Sequence, residues 1–197
     1  MITLNLGFLV SHSGSNMQAI INSVKTGKLS ANLCAMITNN TDAFAFERAI
    51  REKIPAFVIN NNTHPNSVDE EIVKVFKLHN VDTVILAGYM KLVSKYLIDS
   101  FNGRVLNIHP ALLPKYGGKG MYGMNVHKSV IDNKERKSGA TIHLVTEKYD
   151  DGKILQSEEC FLDYKETAET LEEKVLAIEH RLYTNTLIKI TKGELII

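Results

Sequence analysis

An asparagine and a histidine stand two residues apart, as Asn107 and His109, in the segment RVLNIHPALLPKYGG. The segment begins with the pattern of a strand, and two prolines then end that strand. Alternate residues of a strand face the same side of a sheet, so both polar side chains should point the same way. An asparagine amide can donate to a developing oxyanion, and histidine titrates nearest to neutrality. The pair therefore suits acyl transfer, and the alternative is a purely structural asparagine with a half-buried histidine.

Two aspartates, Asp150 and Asp151, precede Gly152 in the segment TEKYDDGKI. Most Asp-Gly pairs of this kind only form the turn between two strands. A carboxylate of this turn that reached His109 would orient the imidazole and favour its charged form. The sequence spacing leaves both interpretations open.

The segment SHSGSNMQAI brings Gly14, Ser15 and Asn16 to the start of a predicted helix. The free N–H groups of a first helical turn and the positive end of the helix dipole attract a phosphate. The segment is neither a Walker A sequence nor a GxGxxG sequence. Ser15 or Asn16 could instead simply cap the helix, and a cap can coexist with an anion site.

Short apolar runs rich in β-branched residues alternate with amphipathic stretches, which predicts strands alternating with helices. The predicted strands are residues 2–10, 33–38, 56–59, 83–87 and 104–108. The predicted helices are residues 15–26, 43–53, 67–79 and 94–101. From residue 139 the pattern changes to a strand pair around the DDG turn, followed by a helix over 167–190. We therefore expect a single-domain α/β fold over residues 1–197, with a doubly wound, mostly parallel sheet and an antiparallel strand pair near the C-terminus.

In such a sheet, ligands collect beyond the carboxyl ends of the strands, where the polar segments described above should lie. The net charge of +1 over 197 residues predicts no broad basic face for nucleic acid. No apolar stretch approaches the roughly 20 residues that span a membrane, and the start lacks the features of a secretory signal. Cys34 and Cys160 each lie in an apolar run and are expected to be reduced core residues, which suits the cytoplasm.

The chain resembles the glycinamide ribonucleotide formyltransferases over nearly its whole length, in five stretches whose order and spacing match. They are SGSNMQAII, NNTDAFAFERA, VDTVILAGYMKLVS, GRVLNIHPALLPKY and GATIHLVTEKYDDGKILQ. The NIHPALLP loop and the downstream aspartate are shared with other folate-dependent formyl-transferring enzymes. The AGYMKLVS segment and the phosphate-loop sequence favour the purine enzyme. The resemblance implies a Rossmann-like formyltransferase fold, with 10-formyltetrahydrofolate as co-substrate and no metal.

The resemblance also implies roles for residues of this sequence. Asn107, His109 and Asp150 match the catalytic residues of the family. Gly14, Ser15 and Asn16 match the loop that holds the substrate phosphate, and Glu179 matches a glutamate that contacts the ribose. The folate pocket is matched by Met90, Lys91, Leu92, Val93, Asn107 and Tyr149. Thr141 and His143 are expected to support the site, and Leu113–Pro114 is expected to be a cis peptide bond.

The implied reaction is direct transfer, in which the amine of glycinamide ribonucleotide attacks the formyl carbon on N10 of the folate. Asn107 and protonated His109 would stabilise the oxyanion, while Asp150 would hold His109 and assist proton movement through a water. Small-molecule substrates are the expected partners, with a monomer or a homodimer as the working unit. The glycine-rich segment 117–127 is longer than in common family members, and it could be a lid or a tolerated surface insertion.

Three other enzymes and one binding module compete with this interpretation. A formyltetrahydrofolate hydrolase would use the same three residues, but we expect it to carry an added N-terminal domain. A methionyl-tRNA formyltransferase is expected to extend beyond Ile197. A sugar-nucleotide formyltransferase is disfavoured by the phosphate-loop match, and a nonenzymatic nucleotide-binding module is disfavoured by the intact Asn107, His109 and Asp150.

Overall fold

The computed structural model describes residues 2–197, which form one seven-stranded sheet with helices on both faces. The strands are β1 (Leu4–Val10), β2 (Ala31–Thr38), β3 (Ala56–Val58), β4 (Thr83–Leu86), β5 (Val105–His109), β6 (Lys137–Leu144) and β7 (Ile154–Phe161). The helices are α1 (Ser15–Lys25), α2 (Phe44–Arg51), α3 (Val68–Leu78), α4 (Lys95–Ser100), α5 (Met124–Asp132) and α6 (Ala168–Thr191). Within these residues, no helix is both long and apolar enough to cross a bilayer.

The strand order is β3-β2-β1-β4-β5-β6-β7, which confirms the predicted α/β fold. Strands β1 to β5 are parallel, whereas β6 is antiparallel to both β5 and β7. The chain runs outward from β1 to β3 and then returns to β4 on the other side of β1. The loops after β1 and β4 therefore diverge and open a crevice at the carboxyl edge of the sheet.

Two apolar layers cover the sheet. Helices α1, α2, α5 and α6 share one core with the inward-facing side chains of β1, β5 and β6. Helices α3 and α4 form the other core against β1, β2 and β4. Tyr183 of α6 is fully buried, and its hydroxyl lies 2.9 Å from the carbonyl of Leu106 and 3.3 Å from that of Leu86. This polar contact fixes α6 across two central strands, whose carboxyl ends carry the crevice.

The predicted elements agree with the structure to within about two residues at their ends, and one helix was missed. Helix α5 lies in a region that the sequence presented as a glycine-rich lid or insertion. Gly118, Gly120 and Gly123 have positive φ values just before it, so helical periodicity begins only at Met124. The helix forms because it buries Val126 and Val130, and Val130 packs in the core that α6 shares with the sheet.

The prediction that both cysteines lie in the core is wrong. Cys34 and Cys160 are free thiols that are only half-buried. Cys34 lies in the first half of β2, where the strand is partly exposed. Cys160 lies on the edge strand β7, one face of which is open to solvent. An apolar run in the sequence did not distinguish a central strand from these exposed positions.

Candidate active site

A cavity of about 660 Å³ opens at the carboxyl edge of the sheet. It is formed by the loops after β1, β4 and β5, by the segment 118–123, by the β6–β7 turn and by α6. The cavity brings together the predicted residues Gly14, Ser15, Asn16, Met90, Lys91, Leu92, Val93, Asn107, His109, His143, Tyr149, Asp150 and Glu179. Thr141 is the predicted residue that does not line it.

Asp150 lies beside His109 in the lining of this cavity. Its Oδ1 is 3.4 Å from Nδ1 of His109 and 3.5 Å from Nε2 of His143. Its Oδ2 accepts the backbone N–H of Gly118 at 2.9 Å. Nε2 of His109 is 2.7 Å from the carbonyl oxygen of Tyr116, which can only accept, so this nitrogen carries a proton. Protonated on both nitrogens, His109 can donate to Tyr116 and to Asp150 together.

The carboxyl group of Asp150 is held in its charged form. Burial alone would favour the neutral acid, but the hydrogen bond and charge of His109 and the Gly118 N–H hold the pKa of Asp150 well below its ordinary value. A depressed pKa adds stability above the ordinary value of an aspartate, and this stability is lost as the pH falls below it. The site thus contains a permanent anion beside His109 at neutral pH.

His143 orients the amide of Asn107. Its Nδ1 lies 2.8 Å from the carbonyl of Leu144, so Nδ1 carries the proton in the neutral ring. Nε2 then presents a lone pair, which accepts from Nδ2 of Asn107 at 3.1 Å. With its lone pair turned to Asn107, Nε2 offers no hydrogen to Asp150 at 3.5 Å. One amide hydrogen of Asn107 is thereby fixed, and the other remains for a ligand.

Thr141 supports the loop after β5 from outside the cavity. Its hydroxyl donates to the carbonyl of Ala111 at 2.7 Å and accepts the N–H of Leu113 at 3.1 Å. The next peptide bond, Leu113–Pro114, is cis, which confirms the expectation. These contacts set the course of the loop that brings the Tyr116 carbonyl to His109.

The start of α1 forms the opposite end of the cavity. Gly14 precedes the helix with φ 69°, and no side chain caps the helix, so neither Ser15 nor Asn16 serves as a cap. A Cβ on Gly14 would lie 2.8 Å from Cβ of Ala45, and a side chain is therefore excluded there. The N–H groups of the first turn lack helical partners and face a site suited to an anion.

Asn16 contacts Glu179 of α6 rather than the backbone of its own helix. Nδ2 of Asn16 donates to Oε2 of Glu179 at 2.6 Å, and both side chains are more than nine-tenths buried. Burial raises the pKa of Glu179 to about 7, although the hydrogen bond from Asn16 and the charge of His109 oppose that rise. Asp150 and Glu179 therefore line the same cavity in contrasting environments, with Glu179 at its α1 end.

The segment Met90, Lys91, Leu92 and Val93 is fixed by a serine that the sequence analysis did not select. The hydroxyl of Ser11 accepts the N–H of Met90 at 2.8 Å and donates to Oδ1 of Asn39 at 2.6 Å. Ser11 follows β1 directly, and this position at the carboxyl end of a strand could have identified it. Tyr149 lies exposed at the mouth of the cavity.

Three further residues of the site were missed, and they are Tyr116, Gly118 and His127. The first two act through backbone groups, for which the sequence carries no signal. His127 lines the cavity from the first turn of α5. A helix prediction for that segment would have drawn attention to it.

Comparisons with known proteins agree on one family. Residues 4–187 match the formyl transferase family. The chain is 30% identical over 194 residues to the phosphoribosylglycinamide formyltransferase of Escherichia coli strain K12, an alignment that covers 98% of this chain and 89% of that protein. The crystal structure of glycinamide ribonucleotide transformylase 1 from Symbiobacterium toebii superposes with a TM-score of 0.91 at 31% identity, covering 99% of this chain and 91% of that one.

A plant relative is longer than this chain. The phosphoribosylglycinamide formyltransferase, chloroplastic, of Arabidopsis thaliana is 40% identical over 185 residues, which cover 92% of this chain and 63% of that protein. The similarly named protein of Vigna unguiculata is covered to 59%. The chain thus spans less than two thirds of the length of these plant relatives.

The raised pKa of Glu179 predicts a pH dependence of stability. The folded protein keeps the proton up to about pH 7, whereas the ordinary value is 4.5, so the free energy of unfolding should fall as the pH rises through this window. The difference between these two pKa values corresponds to at most about 3 kcal/mol of unfolding free energy. Glu179→Gln mimics the protonated acid and should flatten this fall in urea unfolding between about pH 5 and about pH 8.

Glu173→Gln provides the matched control, because Glu173 is exposed on the same helix. The unfolding free energy of Glu173→Gln should keep the pH dependence of the wild type. The histidines and other groups that titrate in this range are present in the wild type and in both variants, so they do not produce a difference between them. A Glu179→Gln variant whose unfolding free energy falls as steeply as that of the wild type would contradict the assignment.

Proposed function

Because this chain belongs to the formyl transferase family, we propose that it transfers a formyl group from 10-formyltetrahydrofolate to the amine of glycinamide ribonucleotide, a step of purine synthesis. The observation that carries the proposal is the meeting of Asn107, His109 and Asp150 in one cavity. The same cavity includes the open helix start at Gly14. An acyl-transfer site and an anion site thus lie within reach of one bifunctional substrate.

The proposed reaction is direct transfer without a covalent enzyme intermediate. The neutral amine attacks the formyl carbon, a C–N bond forms, and the negative charge gathers on the formyl oxygen. The free amide hydrogen of Asn107 and the charge of His109 stabilise this oxyanion. As the bond to N10 of the folate breaks, the proton of the attacking amine passes to N10 through a water that Asp150 orients. Holding both substrates in one crevice can lower the barrier by up to about 7 to 11 kcal/mol.

The two ends of the cavity suit the two substrates. The open N–H groups around Gly14, Ser15 and Asn16 suit the phosphate, and Glu179, which lies against Asn16, would meet hydroxyl groups of the ribose. On the other side, the folate would lie along Met90, Lys91, Leu92 and Val93, with Asn107 at its formyl group and Tyr149 against its pterin ring. Neither substrate requires a metal in this scheme.

We further propose that residues 1–197 act as one formyltransferase domain in the cytoplasm, as a monomer or a homodimer. Its partners would be small molecules, with no part for nucleic acid or a membrane. The near-zero net charge supports this assignment, because sequence-independent binding to nucleic acid depends on a basic face.

The proposed function predicts a release of deformylated folate that depends on the acceptor. Purified protein should convert 10-formyltetrahydrofolate only when glycinamide ribonucleotide is present, which a spectrophotometric assay of the folate product measures. Release without the acceptor would instead identify a formyltetrahydrofolate hydrolase. No release in either mixture, or release only with an amino-sugar nucleotide, would reject the proposed acceptor.

The contact between Asp150 and His109 predicts a large effect of Asp150→Asn. The variant should lose at least about 100-fold in kcat, because the amide carries no charge to hold His109 and is a poor proton acceptor. Its fold should persist, since Asp150 has φ 54° and asparagine tolerates this conformation. Asp151→Asn is the matched control, because Asp151 is exposed in the same turn. Equal kcat values for both variants would remove Asp150 from the mechanism.

The packing of Gly117 predicts a second, indirect loss of activity. A Cβ at this position would lie 2.6 Å from Cδ2 of Leu113 and 3.1 Å from Cβ of Asp150. Gly117→Ala should therefore displace the carboxyl group and lower kcat by about 10- to 100-fold. The control is Gly120→Ala, whose Cβ meets no atom within 4 Å although its φ is +88°. A Gly117→Ala variant that keeps the kcat of the wild type would contradict the predicted displacement of Asp150.

A further inference from the structure

His127 is a buried titratable side chain that the proposed reaction does not use. It lies in the first turn of α5, is 2% exposed and lines the cavity. Its Nδ1 is buried and finds no hydrogen-bond partner among residues 2–197. Buried polar atoms are seldom left unpaired, so this ring requires an explanation.

The environment of His127 determines which nitrogen carries its proton. Burial and the neighbouring charge of His109 lower the pKa of His127 to about 4, so the ring is neutral at neutral pH. A buried N–H without a partner is rarer and costlier than an acceptor without one, which leaves the lone pair on Nδ1 and the proton on Nε2. Nδ1 is enclosed and has no access to the cavity, so Nε2 is the nitrogen of the ring that faces the cavity.

The position of α5 identifies the part of the cavity that His127 serves. Helix α5 packs in the core shared by α1 and α6, on the side of the sheet that also supplies Asn16 and Glu179. Oδ1 of Asn16 is a second buried atom there without a partner among the described residues. Both of these atoms are enclosed, so the polar atom that His127 can offer to a ligand on this side is Nε2, which has no hydrogen-bond partner among residues 2–197.

We propose that His127 donates a hydrogen bond from Nε2–H to an oxygen of the phosphoribosyl group of the amine substrate. The choice of ligand rests on the proposed function, because the phosphoribosyl group is the substrate part assigned to this side. A neutral donor suits the position, since a second cation beside His109 would be repelled by it. His127 is thus a substrate-binding residue that acts on affinity and leaves the transfer step to Asn107, His109 and Asp150.

Three substitutions of His127 test this assignment, because they differ in whether and where they offer a hydrogen-bond donor. Glutamine can place its amide nitrogen near the position of Nε2, asparagine only near that of Nδ1, and leucine offers no donor. His127→Leu and His127→Asn should each raise the KM for glycinamide ribonucleotide by about 10-fold, the size expected for one hydrogen bond. His127→Gln should stay within about threefold of the wild type, and the KM for 10-formyltetrahydrofolate and kcat should change by less than about threefold in all three.

Lys128→Leu is the matched control, because Lys128 is exposed in the same turn and does not line the cavity. It should leave all kinetic parameters unchanged. A folded His127→Leu variant with an unchanged KM for the ribonucleotide would overturn the proposal, as would equal losses in the glutamine and leucine variants.

A measurement on the wild-type protein covers the case in which a variant fails to fold. Nitrogen NMR of labelled histidine should show His127 with its proton on Nε2, and saturating ribose 5-phosphate should shift that resonance. A proton on Nδ1, or a resonance that ribose 5-phosphate leaves unmoved, would overturn the assignment. This experiment needs no formyl transfer, so it decides on His127 even if the acceptor assay rejects the proposed function.

Discussion

The carboxylate of Asp150 is the constraint on which the site depends, because a buried charge must be paired where it lies. Its two oxygens face three segments of the chain, with Oδ1 near His109 and His143 and Oδ2 against the N–H of Gly118. The contacts of Asp150 with His109 and Gly118 therefore hold the end of β5 and the glycine-rich segment around one group, and the end of β6 lies against it. Displacement of that group would disturb His109, which also binds the carbonyl of Tyr116.

The fold supplies the surroundings that give each polar group its state. The crevice between β1 and β4 places the start of α1 on one side and the segment after β4 on the other. Asp150 lies beside cationic and N–H partners and stays charged, whereas Glu179 lies between α1 and α6 and has its pKa raised to about 7. Two carboxyl groups with separated pKa values can serve different tasks in the same cavity.

The sequence predicted those parts of the site that follow from local pattern. The alternation around Asn107 and His109, the helix start at Gly14 and the strand-helix order all depend on neighbours in sequence, and the fold confirms that order. The contact of Asp150 with His109 spans about 40 residues, and only the antiparallel pairing of β5 with β6 brings the two together. Backbone groups of Tyr116 and Gly118 carry no residue signal. Helix α5, and His127 with it, was hidden by the glycines before it.

A crystal structure with glycinamide ribonucleotide and an unreactive folate analogue bound together is the most direct test of this account. We expect the phosphate at the first turn of α1 and the formyl carbon between Asn107 and His109, with Asp150 still against the imidazole. Substrates bound outside this crevice, or Asp150 turned away from His109 in the ternary complex, would contradict it.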